Sequence, residues 1–473
     1  MKKEQVIRKY SEIIDLFSEN AKDYIKTAGS RSVAPGAEAL KNLSKLDAEL
    51  QNDPLDAHDV LKELHSLGSP ATMLNTGGRF FGFVVGGTLP AALGANLMAG
   101  VWDQNAGLEI LSPVSSALER VSRKWLIDLL HLPKETEVGF VTGATMANFT
   151  ALAAARHAVL AREGWNVEEN GLYGAPPLTV VVGEEAHVSL FKALSHLGLG
   201  RNRVVRVPCD SQGRMRPDCF PKLHGPAIVC LQAGNIHTGA FDPAGQICDL
   251  AHQYDAWVHV DGAFGLWALT LPEKGNLTAG LEKADSWATD AHKWLNTPYD
   301  SGLAFVKDTK SLTAAMTQNA SYLIQDGSRD PSIFVPEMSR RARGTEIWAA
   351  LRGLGKKGVA DLIRSSCDAA VLFAEKLKNA GFEILNDVVL NQVMVSFGND
   401  EDNSRIIRRI QEEGTCWCGG TKWHNQSAMR ISISSWQTTT EDVDRCAEIM
   451  IRIAKEEMSR TVVNANQPAM TKV

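Results

Sequence analysis

Residues 257–263 read WVHVDGA, and residues 286–294 read SWATDAHKW. Each opens with a short run of apolar and β-prone residues, and each run stops at an aspartate. Continuous short runs of this kind suit strands covered on both faces, where alternation between wet and dry sides is lost. The same rhythm recurs outward from this pair. Apolar runs lie at Gly139–Thr142, Leu178–Val182, Val204–Val207, Ala227–Leu231 and Leu303–Val306. Helical patterns separate several of them, notably Thr145–Arg162, His187–Leu197 and Pro243–Tyr254. Strands alternating with helices predict an α/β domain with a mainly parallel sheet flanked by helices. Ligands of such sheets bind beyond the carboxyl ends of the strands, so the residues just after each run are the ones that matter.

On either side of this region the pattern changes. Residues 3–27 place Val6, Tyr10, Ile13, Phe17, Ala21 and Tyr24 at helical spacing. They predict an amphipathic helix whose stripe packs on its own chain or across a dimer. Ser30–Gly36 reads as a loop. Arg79–Gly100, broken by Gly86, Gly87 and Pro90, is either a ligand-lining segment or a connection. Beyond Gly353–Gly358 a helix over Val359–Ala380 leads to strands at Val393–Phe397 and Met429–Ser434. A last helix runs from Glu441 to about Arg460, and the polar tail from Thr461 is expected to fray. The expected organisation is an N-terminal helical and dimerisation segment over 1–85, a large α/β domain over 86–355 and a small α+β domain over 356–473.

Composition narrows the partners. The net charge of −6 gives no electrostatic reason to expect nucleic acid or an anionic membrane. The first ten residues are charged and carry no signal-peptide core, and no apolar run reaches the ~18–20 residues of a spanning helix. None of the eight cysteines forms a C-x-x-C pair, so neither a disulfide framework nor a zinc site is expected, and a cytoplasmic location fits. Cys416 and Cys418 flank Trp417 in an expected strand and would share one face, with ordinary packing expected over metal binding.

Four positions after strands carry chemistry. Asp261 either caps the turn that follows it or supplies a buried carboxylate to a protonated ring nitrogen. Lys293, beside His292 and Trp294, is either a surface lysine or an amine whose pKa nearby cations and desolvation would lower for attack on a carbonyl. Thr297, Ser301 and Gly302 beyond it suggest a confined site. The turn Thr142-Gly143-Ala144-Thr145 opens a helix, either as a simple cap or as a cradle for phosphate. His187 either caps a helix or stacks on a planar ring and moves a proton. Together the four offer a phosphate cradle, a ring partner, a ring stack and an amine. Few cofactors other than pyridoxal 5′-phosphate (PLP) need that set.

The order GAT, His187, HVDGA, DAHKW resembles the group II PLP-dependent amino-acid decarboxylases, which include the aromatic-L-amino-acid, glutamate and histidine enzymes. The resemblance runs from about Ser69 to Glu448 and includes Gly78–Phe81, Gly239–Pro243, Arg340–Arg343 and Met429–Ser432. It implies the fold-type-I PLP architecture and a homodimer with active sites at the interface. It also implies Lys293 as the Schiff-base lysine, Asp261 on the pyridine nitrogen and His187 on the ring. Ala144, Thr145 and His292 would hold the phosphate, Ala263 would pack on the ring, and Asn235 would lie near the phenolate oxygen. Two departures stand out. Many members read Asn-Pro-His-Lys where this chain reads Asp290-Ala291-His292-Lys293. Many also carry a mobile-loop tyrosine that protonates the α-carbon, whereas Gln325–Val335 contains none; Tyr322, just before it, aligns better with a structural position.

The implied reaction is α-decarboxylation of an L-amino acid to its amine. The missing tyrosine keeps transamination and decarboxylation coupled to oxidation to an aldehyde as alternatives. A metal hydrolase built on His259, Asp261 and His292 lacks a motif at helical ligand spacing. A silent PLP-fold protein conflicts with the intact Lys293 and Asp261. For the substrate, Phe80, Phe81, Trp102, Trp417 and Trp423 form either an aromatic pocket or ordinary packing. Arg343 and Arg352 either meet a carboxylate or make structural ion pairs.

Overall fold

A computed structural model describes residues 3–317 and 329–465, with side chains to residue 460. The helices that matter below are α1 (Lys3–Thr27), α2 (Ala144–Arg162), α3 (Val188–His196), α4 (Ala244–His252), α5 (Gly344–Asn379), α6 (Asp400–Glu413) and α7 (Thr440–Ala465). The strands are β1 (Glu137–Val141), β2 (Thr179–Gly183), β3 (Val205–Val207), β4 (Ala227–Gln232), β5 (Trp257–Asp261), β6 (Ser286–Asp290) and β7 (Gly302–Val306), followed by β8 (Glu383–Ile384), β9 (Gln392–Ser396), β10 (Gly419–Trp423) and β11 (Gln426–Ser432).

The first seven strands form one sheet in the order β1-β7-β6-β5-β4-β2-β3. Strands β6, β5, β4, β2 and β3 pair in parallel, while β7 runs antiparallel to both β6 and β1. Every residue of β1, β4, β5, β6 and β7 is buried. The mainly parallel, doubly covered sheet read from the apolar runs is the one observed. Helix α2 lies on this sheet, and its small residues Ala147, Ala151, Ala154 and Ala155 are fully buried. Alanine both favours helix and lets the backbone lie close to the strands beneath it.

By its contacts the chain divides into two units. One comprises Met1–Phe83, Ser396–Met429 and Gln437–Val473; the other comprises Val84–Val395 and Arg430–Trp436. The second unit holds the sheet. The first holds α1, the helix Ala57–Gly68, α6 and α7.

Three local expectations change. Helix α5 begins at Gly344, upstream of the expected Val359. The glycines there do mark a break, at Gly355 (φ 62°), but helix continues on both sides of it. Cys416 and Cys418 do not lie in a strand; only Trp417 pairs, in an isolated bridge to Phe80. Both thiols are fully buried and hydrogen-bonded to one another. Helix α7 runs through Thr461, where fraying was expected, to Ala465, and residues 466–473 lie outside the described residues.

Candidate active site

Asp261 closes β5 and is buried. Its Oδ1 accepts the Ala263 backbone N–H at 3.2 Å, so it does cap its own turn. Its Oδ2 accepts Asn148 Nδ2 at 2.9 Å. Behind Asn148 the bonds continue: Asn148 Oδ1 lies 2.9 Å from His259 Nε2, His259 Nδ1 lies 2.9 Å from Ser286 Oγ, and Trp257 Nε1 donates to Ser286 Oγ at 2.8 Å. The ends fix the direction. A carboxylate only accepts, so Asn148 turns its amide nitrogen to Asp261 and its oxygen to His259. His259 therefore carries its proton on Nε2 and accepts from Ser286 on Nδ1. Burial pushes its pKa down to about 3, which keeps it neutral.

The next strand delivers the amine. Asp290 ends β6, and Lys293 Nζ lies 3.0 Å from Asp290 Oδ2. His292 Nε2 lies 3.3 Å from Asp290 Oδ1. The Ser301 N–H donates to His292 Nδ1 at 3.0 Å, which leaves the ring proton on Nε2. Burial lowers the His292 pKa against the opposing pull of Asp290, and the Tyr299 ring stacks on it at 4.3 Å. Helix α2 starts at Ala144, whose N–H donates to Asp290 Oδ1 at 2.5 Å, with Thr145 half-buried beside it. The Ala263 carbonyl accepts the Asp290 N–H at 2.8 Å and ties the ends of β5 and β6 together. Two glycines make this closeness feasible. A Cβ on Gly86 would lie 1.9 Å from the Lys293 carbonyl oxygen, and one on Gly302 would lie 2.4 Å from Gly143 Cα. Gly86, in the Arg79–Gly100 segment, thus packs directly on the main chain of the lysine loop.

His187 is the N-cap of α3. Its Nδ1 accepts the Ser189 N–H at 3.3 Å and lies 2.7 Å from the Ser189 hydroxyl. The capping reading is therefore correct, yet the same residue lines a small pocket with Asp261, Gln232 and Cys230. Burial lowers its pKa, Asp261 pulls it up, and Lys293 and Arg430 push it down. Asp290 also pulls it up, so the charges of Asp261, Lys293, Asp290 and Arg430 all reach His187. Asn235 uses Oδ1 to accept the His237 and Thr238 N–H groups, and its Nδ2 is buried without a hydrogen-bond partner.

Other expected residues lie elsewhere or are already engaged. Phe80 stacks on Trp417 at 5.2 Å, Phe81 and Trp423 are buried, and Trp102 is partly exposed at a helix end. Packing is the role these contacts describe for Phe80, Phe81, Trp417 and Trp423. Arg343 Nε pairs with Asp300 at 2.9 Å, and Arg352 is exposed. The sequence reading missed Asn148, which sits inside an alanine-rich helix and gives no local signal. It also left Arg430 without a role. Arg430 is mostly enclosed, its pKa pushed down to about 10 by burial, and it donates to the Ile236 carbonyl at 3.2 Å. Among the described residues no three His, Cys, Asp or Glu side chains are arranged to hold a metal.

A lysine and two buried carboxylates at the ends of adjacent strands, on a sheet of this order, define a fold-type-I PLP-dependent enzyme. The residues fit that cofactor: an amine, a pinned carboxylate and a neutral imidazole converge, and the Asn235 amide nitrogen is buried without a partner, although Asp290 adds negative charge beside the Ala144 turn. The chain belongs to the pyridoxal-dependent decarboxylases, whose conserved-domain model matches residues 39–398, and it is a PLP-dependent amino-acid decarboxylase. Tryptophan decarboxylase 1 of Oryza sativa subsp. japonica is 26% identical over 480 residues, 92% of each chain. Phenylacetaldehyde synthase of Petunia hybrida is 29% identical over 75% of this chain and 72% of its own. The crystal structure of Oryza sativa TDC with PLP and tryptamine superposes with a TM-score of 0.86 at 23% identity, covering 97% of this chain and 99% of that one.

Proposed function

We propose that Lys293 holds PLP, that Asp261 pairs with its ring nitrogen, and that His187 packs on its ring during α-decarboxylation of an L-amino acid. Ala144, Thr145 and His292 take the phosphate, Ala263 lies against the ring, and Asn235 turns its free Nδ2 to the phenolate oxygen. The observation that carries this reading is the pairing of β5 with β6, whose ends bring Asp261 and the Lys293–Asp290 pair side by side.

Bound PLP supplies an electron sink for the pair released when the Cα–carboxylate bond breaks. Asp261 contributes a fixed negative charge, held in place by the Asn148 amide. His187, with Nδ1 occupied by Ser189, keeps Nε2 as its proton-bearing atom. Arg430 brings a buried cation to the region of His187 and is suited to orient an anionic group of the substrate. Reduction of the loaded protein with borohydride, followed by peptide mapping, should place the cofactor's mass on Lys293. Lys293→Ala should lose both this label and turnover, and full activity in that variant would end the proposal.

A second outcome is favoured by one observation: residues 325–335 contain no tyrosine, and the part before residue 329 lies outside the described residues. In that case the amino acid, dioxygen as oxidant and water give carbon dioxide, an aldehyde, ammonia and hydrogen peroxide. Product analysis separates the two outcomes. The reading also includes a homodimer, supported by the exposed apolar side chains of α1, a cytoplasmic location, supported by the cysteine pattern, and the three-part organisation at 1–85, 86–355 and 356–473.

A further inference from the structure

The phosphate end of the site contains a group that opposes phosphate. Asp290 is 2% exposed, and all its polar atoms are in use. Its Oδ1 takes the first N–H of α2, from Ala144, at 2.5 Å, and lies 3.3 Å from His292 Nε2. Its Oδ2 lies 3.0 Å from the Lys293 ammonium. Its main chain is fixed from both sides: the N–H donates to the Ala263 carbonyl at 2.8 Å, and the carbonyl accepts Trp267 Nε1 at 3.0 Å. The backbone cannot move away without breaking these bonds, so only the side chain can yield. On the other side, a Cβ on Gly143 would come within 3.1 Å of Asp290 Oδ1, which shows how closely the carboxylate lies against the turn.

A helix N-terminus, an imidazole N–H and an ammonium are what an anionic phosphate seeks. Here a resident carboxylate already holds all three. We propose that Asp290 is a built-in competitor for the phosphate end of PLP, so that this chain binds the cofactor's phosphate in exchange for the Asp290 contacts to Ala144, His292 and Lys293. This rests on the assignment of Lys293 and the Ala144 turn to PLP. Two like charges brought together in a partly desolvated site repel more strongly than in water. The phosphate group therefore contributes less to cofactor affinity here than an uncharged side chain at 290 would allow. An amide is close in shape, can still accept the Ala144 N–H, and carries no charge.

The test compares PLP with pyridoxal, which lacks the phosphate. The full-length chain, dialysed free of cofactor, is titrated with each, and binding is read from tryptophan fluorescence and cofactor absorbance. Asp290→Asn frees Lys293 toward both aldehydes, so the readout is the ratio: PLP should tighten by about tenfold or more relative to pyridoxal, the scale of one removed charge contact. Asp290→Ser should shift the ratio in the same direction. In the unaltered chain PLP should outbind pyridoxal by less than about a hundredfold, roughly 2.7 kcal/mol. Unchanged or weaker PLP binding relative to pyridoxal in both variants would overturn the proposal, and parallel shifts for both ligands are such a case. If neither variant folds by circular dichroism, a PLP-to-pyridoxal ratio above about a thousandfold in the unaltered chain would overturn it equally. Borohydride labelling of the unaltered chain separates the two claims. No label on Lys293 means that the cofactor assignment has failed. A label with an unmoved ratio means that only the role of Asp290 has failed.

Discussion

His259 uses both ring nitrogens inside the sheet, one toward Ser286 and one toward Asn148. Its fully buried ring has a pKa of about 3, held down by desolvation. The sign of the pH effect follows. In the unfolded chain a histidine gains its proton near pH 6.5, whereas in the folded chain it stays neutral until about pH 3. Between these limits the unfolded state binds the extra proton, so stability falls as pH falls, by up to roughly 1.4 kcal/mol per pH unit from this group. Chemical denaturation from pH 7 to pH 4 should show His259→Gln, which cannot take up a proton, losing less stability over that range than the unaltered chain. Equal losses would mean that His259 is not buried in the neutral form. Asp261, Lys293 and His187 were legible in the sequence because each follows an apolar run. Asn148 was not, because it meets Asp261 only once two segments 113 positions apart fold together.

At the scale of elements, α5 shows how a glycine can be read correctly as a break and still mislead about an end. Gly355 has φ 62° and ψ 178°, a conformation open essentially to glycine alone, and nothing lies within 4 Å of where its Cβ would be. Gly355→Ala should therefore destabilise the protein by about 1–3 kcal/mol through backbone strain without any clash. Urea titration would show this as a lowered midpoint with an unchanged slope. A neutral result would show that the break relaxes into continuous helix. The strands of the sheet were legible almost to the residue, since burial on both faces fills them mostly with apolar and β-prone side chains. The region of Cys416 and Cys418 was not. Its spacing imitates a strand, but its residues are held by an isolated bridge and by thiol contacts from elsewhere in the chain.

At the scale of the whole molecule, α1 is the outstanding feature. Ile7 and Tyr10 are 58% and 69% exposed, and Ile14 and Phe17 stand out from the same helix. A run of large apolar side chains left in water is the usual mark of an interface. Sedimentation should give a mass near twice 51.4 kDa. Ile7→Glu together with Ile14→Glu should shift the protein toward monomer, and a monomeric parent chain would remove this part of the reading. The sequence put Tyr10 and Phe17 on the apolar stripe, but its other members Val6, Ile13, Ala21 and Tyr24 are partly buried, and Ile7 and Ile14 stand exposed in their place. The sequence could not say what covers the stripe, because a periodicity describes one side of a contact only.

The reversal of β7 has its own consequence. Because β7 runs against both β1 and β6, those two outer strands point the same way, and their leading ends meet across the spot where β7 begins. That spot is Gly302, whose backbone lies directly on Gly143. The turn that opens α2 and the lysine loop are thus joined across a place where no side chain fits. Even a methyl group there would act as a wedge between the two segments, so on the proposed assignment of the cofactor a substitution at this one position would strike at the turn and the lysine together.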